Sequence, residues 1–155
     1  MSKLLASLCF APIFLWGCST PLKPYTPPSG AATAELRSSI IGGFTRYQEA
    51  SISVWHEQGH QPGITRLFNV RKGNSEPKGY VTVVANAPLK LHYSEAFSGG
   101  YSCQVTIEFV LREGGRYSLV GGVEYEKSSI PFFPSTRKCV FGVKDEATGL
   151  PVPVR

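Results

Sequence analysis

Aspartate is almost missing from this chain: Asp145 is the only one in 155 residues. Calcium loops built on spaced aspartates and catalytic centres built on an aspartate pair are therefore excluded. Cys-x-x-Cys is absent, so a dithiol redox site of the usual kind is excluded as well. No nucleophile-elbow sequence is present to support serine hydrolase chemistry. Gly114-Gly115 and Gly121-Gly122 lack the strand–loop–helix setting of a phosphate loop. Charged residues make up only 17% and the net charge is +5, without the clustered positive face that a nucleic-acid partner requires. Helical periodicity is close to nil. The longest apolar run, Leu4 to Trp16, would rise roughly 20 Å as a helix, short of the roughly 30 Å hydrocarbon core of a bilayer.

What remains is a chain of one-domain length with 42% hydrophobic residues, enough to exclude disorder. Sixteen glycines, twelve prolines and 12% aromatics point to turns and pleated surfaces. The N-terminus combines Lys3, the apolar run and the small residue Gly17, which are the parts of a secretory signal peptide.

Residues Leu15-Trp16-Gly17-Cys18 resemble the lipobox of bacterial lipoproteins. That resemblance implies cleavage before Cys18, a diacylglycerol on its sulfur and a further acyl chain such as palmitate on its amine. Several acyl chains anchor a protein stably where one does not. Ser19, rather than Asp, after the cysteine implies the outer membrane, with the domain on its periplasmic face. The expected organisation is a signal peptide over 1–17, a lipidated proline-rich tether over 18–32 and a folded domain over 33–155. The tether, with prolines at 21, 24, 27 and 28, could hold the domain roughly 40 Å off the membrane if extended throughout.

Four cysteines are present. Cys9 would leave with the signal peptide and Cys18 would be acylated. Cys103 and Cys139 remain as an even pair in an oxidising compartment, so a disulfide is expected. Closing that loop would contribute about 4 kcal/mol on the chain-entropy account.

Beyond residue 33 the signal is alternation. In Tyr101–Arg112 the residues Tyr101, Cys103, Val105, Ile107, Phe109 and Leu111 share one face, and Val110 is the single apolar residue on the other. Arg116–Glu126 alternates again, and Glu113-Gly114-Gly115 reads as a three-residue hairpin loop setting Leu111 opposite Tyr117. Gly121 and Gly122, in mid-strand, suggest a bulge or a close backbone approach. Further strands are expected over Ala34–Ile41, Gln48–Trp55, Ile64–Val70, Tyr80–Ala85, Leu89–Tyr93 and Lys138–Lys144. Both Cys103 and Cys139 fall on apolar faces, which supports pairing them. Seven or eight short strands predict an all-β antiparallel sandwich, immunoglobulin-like or transthyretin-like, with a small barrel as the alternative.

One catalytic signature occurs. His56-Glu57-Gln58-Gly59-His60 matches H-E-x-x-H, and that resemblance implies a zinc hydrolase with two His ligands and a Glu base. The chemistry needs a helix, which brings residues four apart to about 6 Å on one face. Here Ala50–Trp55 reads as a strand, and Gly59, Pro62 and Gly63 would break a helix. On a strand the two rings stand roughly 13 Å apart. The chain is read as non-enzymatic, with no metal and no cofactor.

Three surfaces are candidates for binding. Ile130-Pro131-Phe132-Phe133-Pro134 is an apolar stretch between prolines, placed in the loop before Cys139. The basic run Arg66, Arg71, Lys72 and Lys78 suits an acidic partner or a solvated loop. Trp55, Tyr80, Tyr93 and Phe97 are read first as core and second as a binding face. A Cys-bearing strand, a Glu-Gly-Gly turn, a Tyr-bearing strand and a second Cys resemble small envelope lipoproteins of Gram-negative bacteria, which implies no catalytic residues. The expected function is a non-enzymatic binding or assembly module of the envelope, with another envelope protein as partner. The alternative is an inhibitor or immunity lipoprotein directed at a toxin or lysozyme.

Overall fold

A computed structural model describes residues 21–40, 49–58, 61–71, 74–96, 102–126 and 136–155. Nine strands run through them: β1 (Thr33–Ser38), β2 (Glu49–Gln58), β3 (Gln61–Arg71), β4 (Asn74–Glu76), β5 (Tyr80–Val84), β6 (Pro88–Ala96), β7 (Ser102–Val110), β8 (Arg116–Glu126) and β9 (Thr136–Asp145). They form two sheets, β5-β1-β8-β9 and β4-β3-β2-β6-β7. The protein is an all-β sandwich. Among the described residues no ladder joins one sheet to the other, so it is not a closed barrel.

Alternation builds the core as the sequence anticipates. Leu36, Val83, Tyr117, Leu119 and Val143 of the smaller sheet face Ile52, Phe68, Leu91, Tyr93 and Phe109 of the larger one, all almost fully buried. Polar residues take the outer faces, because a pleated strand sends successive side chains to opposite sides. The short β4 was not anticipated: Asn-Ser-Glu has neither β-branched nor aromatic residues, and its pairing with Asn69–Arg71 is what makes it a strand.

Two expectations are corrected. The Glu113-Gly114-Gly115 turn does not close a hairpin, because β7 pairs with β6 while β8 pairs with β1 and β9. The chain instead arches from one sheet to the facing one. Leu111 and Tyr117 are both buried since each points into the shared interior from its own sheet. The Tyr117 hydroxyl accepts from the Arg112 amide at 3.1 Å, and Gly114 donates to the Thr33 carbonyl, so the arch is held at its base. Crossing over also makes β8 run parallel to β1, the one parallel pair of strands among the described residues. Of the two readings of Gly121-Gly122, close approach holds at Gly121, and the bulge is instead in β3: Ile52 pairs with Phe68 and Ser53 with Arg66, leaving Leu67 extra. Both Leu67 and Phe68 are consequently buried in succession.

The second correction concerns the proline-rich segment. Tyr25 donates to the Arg66 carbonyl and the Arg66 amide donates to the Lys23 carbonyl, both at 2.8 Å. The Tyr25 hydroxyl lies 3.4 Å from the Val84 amide, and the Ala85 amide donates to Ala32. The segment thus closes the seam between β3 and β5, and the folded unit starts well before residue 33. An edge strand offers unpaired donors and acceptors, and a proline-bearing segment caps them without offering a further edge.

The opposite seam, between β7 and β9, is closed at both ends. At one end Cys103 and Cys139 have Cα atoms 5.7 Å apart, a disulfide-forming separation. At the other the C-terminal segment crosses over, with the Val152 amide on Val143 and the Arg155 amide on Glu108. The single aspartate starts that crossing: the Asp145 carboxylate accepts from the Ala147 and Thr148 amides, and Gly149 follows at φ 72°.

Gly121 answers to close approach. A Cβ there would lie 2.5 Å from the Val140 carbonyl oxygen, backbone that cannot easily yield. Gly121→Ala should therefore cost about 1–3 kcal/mol in denaturant unfolding. Gly142→Ala, whose added methyl meets nothing nearer than Val120 at 4.0 Å, should change stability by less than about 0.5 kcal/mol.

Candidate functional site

A groove of about 670 Å³ lies at the end of the sandwich where β2 and β7 finish and β6 begins. Its volume is in the range of small-molecule sites. Val54 and Leu89, inward-facing positions of β2 and β6, provide an apolar floor together with the half-buried Val84 of β5. Lys23, Pro24, Tyr25, Thr26 and Pro28 form one wall, which exists only because that segment is docked on β3. His56 and Thr65 line it from the β2–β3 hairpin, with the His56 Nε2 3.5 Å from the Thr65 hydroxyl. The Tyr25 and His56 rings lie 6.3 Å apart, tilted by 35°. Gly63, opposite His56 in the hairpin, leaves room for the imidazole: a Cβ there would meet its Cδ2 at 2.7 Å. Burial pushes the Tyr25 hydroxyl above its ordinary pKa, with the Val84 amide opposing, so it stays a neutral hydrogen-bonding group.

Trp55, Lys90 and Glu108 complete the rim. The Lys90 ammonium stands 5.8 Å from the centre of the Trp55 ring, and His92 packs on the same indole at 5.4 Å. His92 is itself fixed by Thr106, 2.9 Å from Nδ1. The Trp55 indole N–H is shielded and has no acceptor among the described residues. Lys23 and Lys90 are exposed and have no ion-pair partner among the described residues, whereas Arg37, Arg71, Arg112 and Arg116 each have one.

The expected site residues distribute differently. His56, Glu57 and Gln58 lie in β2, paired with Gln61–Gly63 in an extended hairpin, so the helical spacing of a zinc motif is absent. His60 lies outside the described residues, and among those described no group of three His, Cys, Asp or Glu is placed to hold a metal. Cys18, Lys72, Phe97 and the stretch Ile130-Pro131-Phe132-Phe133-Pro134 also lie outside them. Of the basic run, Arg71 is paired with Glu49 at 2.7 Å, Arg66 meets Lys23 through its backbone, and Lys78 is exposed. Of the four aromatics read as core, only Tyr93 is shown there. Trp55 and Tyr80 occupy outer faces, where half-exposed aromatics can cover neighbouring stems. Lys23, Tyr25, Thr65 and Lys90 were not anticipated. Tyr25 alone left a trace, as the one aromatic in a segment otherwise of prolines and small or polar residues.

Two other polar groupings are internally satisfied. On the outer face of the smaller sheet, Arg37 and Arg116 each place a guanidinium 5.3 Å from the Tyr80 ring centre. Burial disfavours the charged Glu146, yet hydrogen bonds from Ser118, Tyr80 and Arg37 together hold its carboxyl below the usual range. At the end holding the Cys103–Cys139 pair, Glu95 is buried beside Cys103 in the β6–β7 register and accepts from the Tyr93 hydroxyl at 2.5 Å.

Compared with known proteins, the chain matches no family model, no curated protein and no solved structure. Fold and groove define a β-sandwich with a small-molecule-sized recess at the end entered by its N-terminal segment.

Glu95 carries a pH signature. Burial raises its carboxyl pKa, and the Tyr93 hydrogen bond opposes this only in part. A carboxyl raised by folding contributes its full stability below its unfolded value and loses it as pH climbs through the folded value. Glu95→Gln keeps an acceptor for Tyr93 and never ionises. Its melting temperature should equal the parent's below about pH 4 and exceed it at about pH 8.

Proposed function

We propose that this chain is a bacterial outer-membrane lipoprotein, acylated at Cys18 and facing the periplasm. Its sandwich acts there as a non-enzymatic binding or assembly module. The groove between Tyr25 and His56 is its binding site, and Cys103 and Cys139 are disulfide-bonded. The groove carries the reading. It combines an apolar floor, convergent polar groups and an indole N–H with no partner among the described residues, the ordinary composition of a recognition site. Support for the anchor comes from the lipobox resemblance at Leu15–Cys18 and the charged-then-apolar leader before it. A sandwich braced at both seams suits binding, because a rigid scaffold loses little entropy when a ligand is held.

Intact mass spectrometry of the native protein should show a chain beginning at Cys18 plus diacylglycerol and one further acyl group. Iodoacetamide without reductant should leave Cys103 and Cys139 unlabelled. Cys18→Ser should abolish the lipid mass and leave the leader uncut. A native chain with an unmodified Cys18 thiol overturns the reading.

A further inference from the structure

The docked N-terminal segment limits how far the domain can stand from its anchor. Lys23 is held to Arg66 by backbone hydrogen bonds, so only five residue steps separate a fixed point of the fold from Cys18. Fully extended, those steps span about 17 Å, well under half of the reach expected for a free tether. Direction is set too. Pro24 bridges Arg66 in parallel, and β3 runs away from its hairpin with β2, so the chain before Lys23 leaves toward the hairpin end. That is the end holding the groove.

We propose that the groove is a lipid headgroup site: the tether presses it against the bilayer, and Lys23 and Lys90 engage the phosphate of an anionic glycerophospholipid. The inference rests on acylation at Cys18. Two further observations support it. Lys23 and Lys90 flank the groove and form no ion pair among the described residues; the single acidic side chain lining it, Glu108, stands opposite Lys90 in the β6–β7 register, so the two lysines still leave the rim net positive. The buried floor of Val54 and Leu89 beside Tyr25 accepts the glycerol and first methylenes of a lipid, which a bare phosphate would not use. The opposite end of the sandwich, with the Cys103–Cys139 pair, then points away from the membrane.

The mature chain supplies its own probe. Of the two tryptophans, Trp16 leaves with the signal peptide and Trp55 remains, beside Lys90. Full-length mature protein reconstituted in phosphatidylcholine vesicles, with or without phosphatidylglycerol, should show Trp55 quenching by headgroup-spin-labelled lipid. Quenching should be stronger with phosphatidylglycerol and fall as salt is raised. Monomeric short-chain phosphatidylglycerol should also shift Trp55 emission, with an affinity reduced about fivefold by each of Lys23→Gln and Lys90→Gln, the worth of one basic side chain at an anionic surface. Lys138→Gln, at the far end, should change nothing. Equal quenching in both vesicle types, or a short-chain titration indifferent to both lysine changes, overturns the headgroup site. A bare Cys18 with an intact short-chain response refutes the anchor and, with it, the apposition to the bilayer, while leaving the groove's lipid chemistry standing.

Discussion

Two backbone hydrogen bonds between Lys23–Tyr25 and Arg66 hold a disproportionate share of this molecule's organisation. They lay the N-terminal segment along the edge of β3, where it shields exposed backbone, brings Tyr25 to Val84 across the seam and raises one wall of the groove. Without that docking the larger sheet would present a bare edge above β4, and His56 would face open solvent from the sandwich end. The bulge at Leu67 belongs to the same arrangement: the extra residue beside Arg66 lets β3 bury Leu67 and Phe68 in succession while its edge meets the segment.

The C-terminal segment does the corresponding work on the other side. Asp145 and Gly149 turn the chain out of β9, and Val152 and Arg155 stitch it across to β7. At the far end the same seam is crossed by the Cys103–Cys139 pair. A sandwich braced by both chain ends and a potential covalent link has little freedom to splay. Its outer faces are consequently free to carry polar networks such as Arg37–Tyr80–Glu146, whose ion pairs are solvent-exposed and individually weak.

Strand positions were legible because alternation is a local property. Eight of the strands could be placed from inward residues such as Cys103, Ile107 and Phe109, which need only a pleat and a dry side. The hairpin reading at Glu113–Gly115 failed for a related reason. Alternation says which face is buried and not which sheet owns the strand, and an arch and a hairpin can leave Leu111 and Tyr117 equally inward. The aromatics misled in the same way: Trp55 and Tyr80 are large and apolar, yet their strand parity sends them outward, and cation–π contacts with Lys90, Arg37 and Arg116 occupy them there.

The groove was almost illegible. Its parts come from residues 23–28, 54–56, 65, 84, 88–90 and 108, and no spacing rule links a proline-rich segment to a hairpin thirty residues on. Composition and pattern alone determined that this chain is built of strands around one core, that Cys103 points inward, and that residues 56–58 are extended, all consequences of nearest-neighbour geometry along the chain; Cys139, read as inward by the same rule, is exposed near the start of β9. The tertiary structure decided the sheet partners, the parallel β1–β8 pair, the docking of Lys23–Tyr25 and the shape of the recess, because each depends on hydrogen bonds and contacts between segments far apart in sequence.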